Sequence, residues 1–214
     1  MLFEDRRDAG RALARLVATL PNLHGAVVLG LPRGGVPVAF EVARALNLPL
    51  DILVVRKLRA PWQKELAIGA IASGGVLVAN PEVLRALRIS DAALRALADR
   101  EMPELERSER AYRGQYPPLE IDGRTAILVD DGLATGASMR AAARAVRLRA
   151  GRVVIAAPVG EESTLRELEG EANQILCVSV PQPFDAVGRF YQDFRPTSNE
   201  EVCALLAQAR QAIA

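Results

Sequence analysis

Short apolar runs alternate with amphipathic stretches along most of the chain. Residues 4–20 set Ala9, Leu13, Leu16, Val17 and Leu20 at helical spacing, and Pro21 ends that helix. AVVLG (26–30) and LDILVV (50–55) are continuous apolar runs that read as strands buried on both faces. GVPVAFEVARALN lies between them and reads as a helix, with Pro37 in its first turn and Asn47 near its end. RKLRAPWQKE (56–65) has no period and reads as a loop. LAIGAIA and VLVA then flank Ser73, Gly74 and Gly75, a hairpin signal. Residues 81–112 are polar and helical, with a second start at Ser90 and Asp91. TAILV (125–129) is a third buried strand, followed by a helix over 137–150 that stops at Gly151. RVVIAAPV and QILCVSV repeat the strand pattern around a helix near 163–171, and Ser198 to Glu201 spells a capping box for the last helix.

Five such strands alternating with helices predict an α/β fold: a doubly wound, mainly parallel five-stranded sheet with right-handed crossovers and the hairpin attached as a flap. A length of 214 residues suits one domain over 1–214 with an appendage, the loop and hairpin spanning 56–80. In such sheets ligands bind beyond the carboxyl ends of the strands.

Charge and composition then narrow the function. Lys+Arg 27 against Asp+Glu 26 gives a net +1, which counts against a nucleic-acid binder working by bulk charge. No apolar run is long enough for a membrane helix, and the first residues, with acids among arginines, read as an ordinary helix rather than a leader. Two cysteines, Cys177 and Cys203, exclude a disulfide scaffold and suit a reducing cytoplasm; both read as core. The single histidine, His24, reads as a surface residue and leaves no material for triads or multi-histidine metal sites. Only two of the basic residues are lysines, Lys57 and Lys64, and both fall in one short segment.

ILVDDGLATGAS (127–138) is the strongest motif. An apolar strand runs into Asp130 and Asp131, and then into a turn with Gly132, Gly136, Thr135 and Ser138 before a helix. Unobstructed backbone N–H groups, hydroxyls and a helix N-terminus make an anion cradle suited to a phosphate monoester. The two carboxylates would repel that phosphate but can accept from sugar hydroxyls or face a metal's water shell. The motif thus describes a sugar phosphate, and it lacks the lysine of a P-loop. The plainer alternative is a strand-to-helix turn with acidic caps.

This motif resembles the 5-phosphoribosyl-1-diphosphate (PRPP) signature of the type I phosphoribosyltransferases. LGLPRGGVPVAFEVA, the RK-LRAP-ELAIGAI segment and FYQDF extend the likeness over most of the chain, to uncharacterised phosphoribosyltransferases. The resemblance implies that Asp130 and Asp131 hold the ribose hydroxyls. It implies that Gly132 and the loop of Ala134, Thr135, Gly136, Ala137 and Ser138 wrap the 5′-phosphate. LGLPRGG (29–35) follows the first strand, with Arg33 as a fixed cation and Gly34 and Gly35 allowing close backbone approach. It resembles the family's diphosphate loop, although a tight structural turn reads equally well from that motif alone. VVRKLRAPWQKELAIGAI (54–71) carries Arg56, Lys57, Arg59 and Lys64, either a solvated basic loop or a lid closing cations over departing diphosphate. Glu65 is a further candidate for proton transfer there.

FDAVGRFYQDF (184–194) holds four of the chain's nine aromatics, Phe184, Phe190, Tyr191 and Phe194. They either pack the C-terminal helix onto the sheet or form a hood (181–214) that walls the acceptor base. The arginines of residues 85–113 read as a solvated helical face paired with acids.

The resemblance implies phosphoribosyl transfer from PRPP to a nucleobase-like acceptor, with diphosphate released and Mg²⁺ carried in with PRPP rather than held by an all-protein cage. Arg33, Lys57, Asp130 and Asp131 are the expected catalytic set, and Arg33, Gly34, Gly35, Arg56 and Lys57 the diphosphate side. A cytoplasmic homodimer in nucleotide salvage is the matching expectation. Members that use 6-oxopurines commonly carry an acid where this chain has Ala134, which counts against hypoxanthine and guanine. Two rivals remain at this stage: a PRPP- or nucleotide-sensing regulator on the same fold, and a dinucleotide enzyme suggested by Gly30 and Asp51, against which the glycine spacing speaks.

Overall fold

A computed structural model describes residues 2–60 and 62–212, with the side chains of 63–65 outside the described set. Helix α1 (Arg6–Val17) is capped by Asp5, whose side chain accepts from the Asp8 N–H. Strand β1 (Val27–Gly30) leads into α2 (Gly35–Leu46), and Asn47 ends that helix in the left-handed conformation. Strand β2 (Leu50–Ile52) follows. Strands β3 (Val55–Ala60), β4 (Gln63–Ala72) and β5 (Val76–Ala79) come next. Two helices, α3 (Pro81–Ala86) and α4 (Asp91–Arg113), start from Asn80 and Ser90 caps. The remainder is β6 (Thr125–Val129), α5 (Ala137–Arg147), β7 (Arg152–Val159), α6 (Glu162–Leu168), β8 (Gln174–Ser179) and α7 (Asn199–Gln211). Ser198 caps α7 as its capping box predicts, accepting from the Glu201 N–H.

The main sheet has the order β2-β1-β6-β7-β8, parallel throughout. This is the five-stranded, doubly wound sheet expected from the apolar runs. Two apolar layers cover it. One gathers Leu13, Val17, Val38, Val42 and Leu206 from α1, α2 and α7 on one face; the other gathers Met139, Ala142, Ala143 and Val146 from α5 on the opposite face.

Residues 50–65 depart from the expectation. The run LDILVV is not one strand: β2 stops at Ile52, and Leu53 leaves the main sheet with its N–H on the Gly30 carbonyl. Within the expected loop, 56–60 and 63–65 are strand, because β3 and β4 pair antiparallel and join β5 in a separate three-stranded sheet. The physical reason is that α4 covers one face of this arm and α5 the other. Leu58 and Ala60 are buried with Leu94, Ala98 and Leu105 of α4, while Val55 packs with the α5 cluster. Charged side chains on a strand packed on both sides leave no apolar alternation to read. Among the described residues no helix is long and apolar enough to cross a membrane.

Candidate functional site

The two glycine-rich turns meet at the carboxyl ends of β1 and β6. Leu31 N–H donates to the Val129 carbonyl at 2.9 Å, which stitches the two strand ends together. The Pro32–Arg33 peptide is cis. Gly34 and Gly35 then lie directly against the acidic pair. A Cβ on Gly34 would fall 2.7 Å from the Asp131 carboxyl carbon, nearer still to Asp131 Oδ2, and 3.2 Å from Arg6 Nε. A Cβ on Gly35 would fall 2.6 Å from the Val129 carbonyl oxygen and 2.8 Å from the Asp130 Cα. Only glycine permits this approach at either position.

The cradle before α5 is fixed from β7 and α6. Leu133 N–H donates to the Val159 carbonyl at 2.9 Å, and the Glu161 N–H donates to the Leu133 carbonyl at 2.9 Å. Buried Thr164 donates its hydroxyl to the Ala134 carbonyl and packs its methyl beneath Gly136. Gly136 has φ +62 and caps the first turn of α5, a left-handed backbone that favours glycine. Thr135 and Ser138 are exposed at this turn, as an anion cradle needs.

Asp130 and Asp131 are unfavourably charged in this setting. Burial pushes the Asp130 carboxyl well above its usual range, and the neighbouring Asp131 charge adds to the push. Burial also raises Asp131, against the opposing charge of Arg6. Arg6 Nε donates to Asp131 Oδ2 at 2.8 Å, and the Asp131 N–H donates to Asp130 Oδ1 at 2.9 Å. Two crowded carboxylates fit hydroxyl donors or a hydrated cation. Among the described residues no cluster of three or more His, Cys, Asp or Glu could hold a metal.

The aromatic segment lies over this site and not beneath α7. Residues Val187–Phe190 form a 3-10 turn whose Val187 covers Gly132. Tyr191 is buried, donates its hydroxyl to the Asp131 main-chain carbonyl at 2.5 Å, and stands 5.0 Å from the Phe194 ring. A cavity of about 330 Å³ opens beside it, lined by Arg6, Arg7, Pro37, Arg195 and Thr197 among others.

The basic segment divides between two faces of the arm. Arg56 pairs with Glu101 of α4 at 2.7 Å. Lys57, one residue on, lines a cavity of about 130 Å³ with Asn80, Ala137 and Arg140, beside the first turn of α5. The side chains of Lys64 and Glu65 lie outside the described residues. Arg33 is exposed, and its charge is felt at Tyr112 of α4 and Glu200 of α7. Arg6, Thr164 and the Tyr191 hydroxyl are the site residues that sequence reasoning missed. The FYQDF run alone carried a signal.

Other candidates settle as structural. Cys177 donates to the Ser179 carbonyl, and burial pushes its thiol up to about 11. Asp51 is buried in an ion pair with Arg113 at 2.8 Å and accepts from the Leu119 N–H, so it offers nothing to a dinucleotide. His24 is exposed.

The parallel sheet, with two glycine-rich turns converging on a pair of acids at its carboxyl end, defines a doubly wound α/β protein. Comparison with known proteins gives the family: residues 56–180 match the phosphoribosyl transferase domain, and the chain belongs to that family. It is 46% identical over 211 residues to "Putative phosphoribosyl transferase MT0597" and "Putative phosphoribosyl transferase Rv0571c", both from Mycobacterium tuberculosis. The match covers 98% of this chain but 47% of each relative, so the chain spans about half their length. The crystal structure of TT1426 from Thermus thermophilus superposes with a TM-score of 0.88 at 45% identity, covering 97% of this chain and 99% of that one.

Proposed function

We propose that the chain transfers the 5-phosphoribosyl group of PRPP to a nitrogenous acceptor and releases diphosphate. One observation carries this reading: the Gly34–Gly35 turn touches Asp130 and Asp131, which lead directly into the cradle at 132–138. PRPP needs three subsites in that order, for a diphosphate, a ribose diol and a 5′-phosphate. The carboxylates would accept from the 2′- and 3′-hydroxyls and fix the sugar while the anomeric carbon becomes oxocarbenium-like. Gly35 and Val36 N–H are spent on the Leu31 and Arg33 carbonyls, so the backbone N–H groups of Arg33 and Gly34 just before α2, with the Arg33 cation, would meet charge developing on the leaving diphosphate. Lys57 would reach in from the arm beside the first turn of α5, and the aromatic segment would shield the reacting carbon from water. Mg²⁺, reached through water from Asp130 and Asp131, would supply neutralisation of the diphosphate when bound.

Ala134 provides no carboxylate for a base, which favours an acceptor recognised by the hood over a 6-oxopurine. The test is a panel of nucleobases with PRPP and Mg²⁺, scored for diphosphate release and paired with calorimetry of PRPP binding. Release with one acceptor, abolished in Asp130→Asn, is the expected result. Absence of PRPP binding would overturn the reading, and binding without release for any acceptor would replace it with a sensing role.

A further inference from the structure

Arg6 differs from its neighbours on α1. Arg7 and Arg11 keep 45% and 46% of their side chains exposed, whereas Arg6 keeps 12%. Its guanidinium serves three groups on two segments at once. Nε donates to Asp131 Oδ2 at 2.8 Å, Nη1 donates to the Arg195 carbonyl at 2.8 Å, and the group lies 4.0 Å over the Phe194 ring. The segment before it is bonded to the same hood. Phe3 N–H donates to the Phe190 carbonyl, Gln192 N–H to the Phe3 carbonyl, and Asp193 N–H to the Glu4 carbonyl, at 2.8, 2.8 and 2.9 Å. Asp131 is therefore held by its carboxylate through Arg6 and by its carbonyl through Tyr191. The two holders are linked, since Tyr191 and Phe194 stack on each other.

We propose that Arg6 is a positioning residue of the PRPP site: it fixes the Asp131 carboxylate against the Gly34 turn and couples it to the hood, so that the first helix is part of the site. This rests on reading Asp131 as a ribose ligand. A mostly buried ion pair adds little net stability, because desolvation offsets most of the attraction, although breaking it leaves a costly unpaired charge. Its placement is what matters here, at the closest approach of the two turns and on one carboxylate oxygen only. Arginine suits the task because its planar fork can bond two acceptors and stack at the same time, which a lysine cannot do.

The experiment measures Mg²⁺-PRPP affinity by calorimetry across pH in wild type, Arg6→Gln, Arg6→Lys, Asp131→Asn and the Arg6→Gln/Asp131→Asn double variant, with thermal unfolding to verify folding. The charged and titratable groups around Asp131 are Arg6 from α1, Asp130 beside it and Tyr191 from the hood, and the Arg6 charge is shared in turn with Asp193 of the hood. Arg6→Gln should weaken PRPP about ten-fold, and the double variant should be no more than about two-fold weaker than Asp131→Asn, since both changes break one linkage. The acid limb of the affinity profile should also move to higher pH, because Asp131 without the Arg6 charge takes up its proton sooner. A folded Arg6→Gln with wild-type affinity and an unmoved acid limb, or simple additivity in the double variant, overturns the proposal. If Arg6→Gln fails to fold, Arg6→Lys decides: an unmoved acid limb with about three-fold weaker binding supports the proposal, and full wild-type affinity overturns it. Wild-type binding by Asp131→Asn would instead sink the ribose reading beneath it.

Discussion

Gly34→Ala is the smallest change that tests whether the two turns form one site. A methyl there would lie 2.7 Å from the Asp131 carboxyl carbon and 3.2 Å from Arg6 Nε, where ordinary contacts begin at 3.4 Å. The carboxylate cannot simply swing away, because Arg6 bonds its Oδ2 and the pair is only 12% and 16% exposed. Either the turn lifts off the strand ends or the ion pair parts. Overpacking of this kind costs about 1–3 kcal/mol. Partial loss of a mostly buried ion pair adds to that, so a total of about 2–4 kcal/mol is expected. Urea denaturation should register it as a lower midpoint with unchanged slope. Gly170→Ala is the control, since that Cβ meets nothing within 4 Å and the φ is not left-handed. PRPP affinity should fall further than stability does, because both routes of relief displace a proposed ligand-binding group. If Gly34→Ala matches Gly170→Ala in stability and binds PRPP like wild type, the argued contact between the turns is wrong.

The remaining predictions use other parts of the same site. Asp130→Asn keeps the acceptor for the Asp131 N–H and removes a carboxyl that burial has pushed up. A raised carboxyl penalises the folded state because the unfolded chain gives up its proton first, so the penalty is absent below about pH 4 and grows as pH rises toward the folded value. The variant should thus melt higher than wild type near neutral pH, with the gain vanishing in acid, while binding PRPP more weakly; equal melting at neutral pH would refute the buried-charge argument. Thr164→Val should cost about 1–2 kcal/mol and weaken ribose 5-phosphate binding, because the Ala134 carbonyl loses its donor. Unchanged binding in a folded Thr164→Val would mean that the turn holds its shape without α6. Trp62 is the chain's single tryptophan, 67% exposed between β3 and β4. Its emission should shift on titration with Mg²⁺-PRPP if the arm closes on the ligand, and a flat titration at saturation would tell against closure.

The main sheet was legible because its strands are buried on both faces and therefore spell continuous apolar runs. VVLG, TAILV and RVVIAAPV needed no context beyond their own residues. The two turns were legible for a related reason: a glycine forced by a close approach is visible as a glycine. The arm was not. Arg56 turns to Glu101 on α4 and Lys57 to the α5 side, so a strand packed on both faces still reads as a basic loop. The LDILVV run misled in the opposite sense. It is apolar throughout but for Asp51, yet it serves two sheets, and only tertiary packing decides that the main sheet ends at Ile52.

The groups that hold the acids in place were illegible because their partners are remote in sequence. Arg6 reaches Asp131 across 125 positions, Tyr191 reaches it across 60, and Thr164 reaches Ala134 across 30. Nothing in an amphipathic first helix sets Arg6 apart from Arg7 or Arg11. What separates them is where α1 begins. Asp5 caps the helix beside the hood, and Phe3 and Glu4 run along residues 190–193, so the residue after the cap must face the strand ends. The site is consequently tied at three points: α6 holds the 132–138 turn through Thr164, the hood holds Asp131 through Tyr191, and Arg6 of α1 joins Asp131 to the hood beside the Gly34 turn. A change at the chain's start should therefore propagate to ribose recognition before it reaches the phosphate turn. That ordering separates a coupled site from two independent anion-binding loops, which would lose their ligands independently.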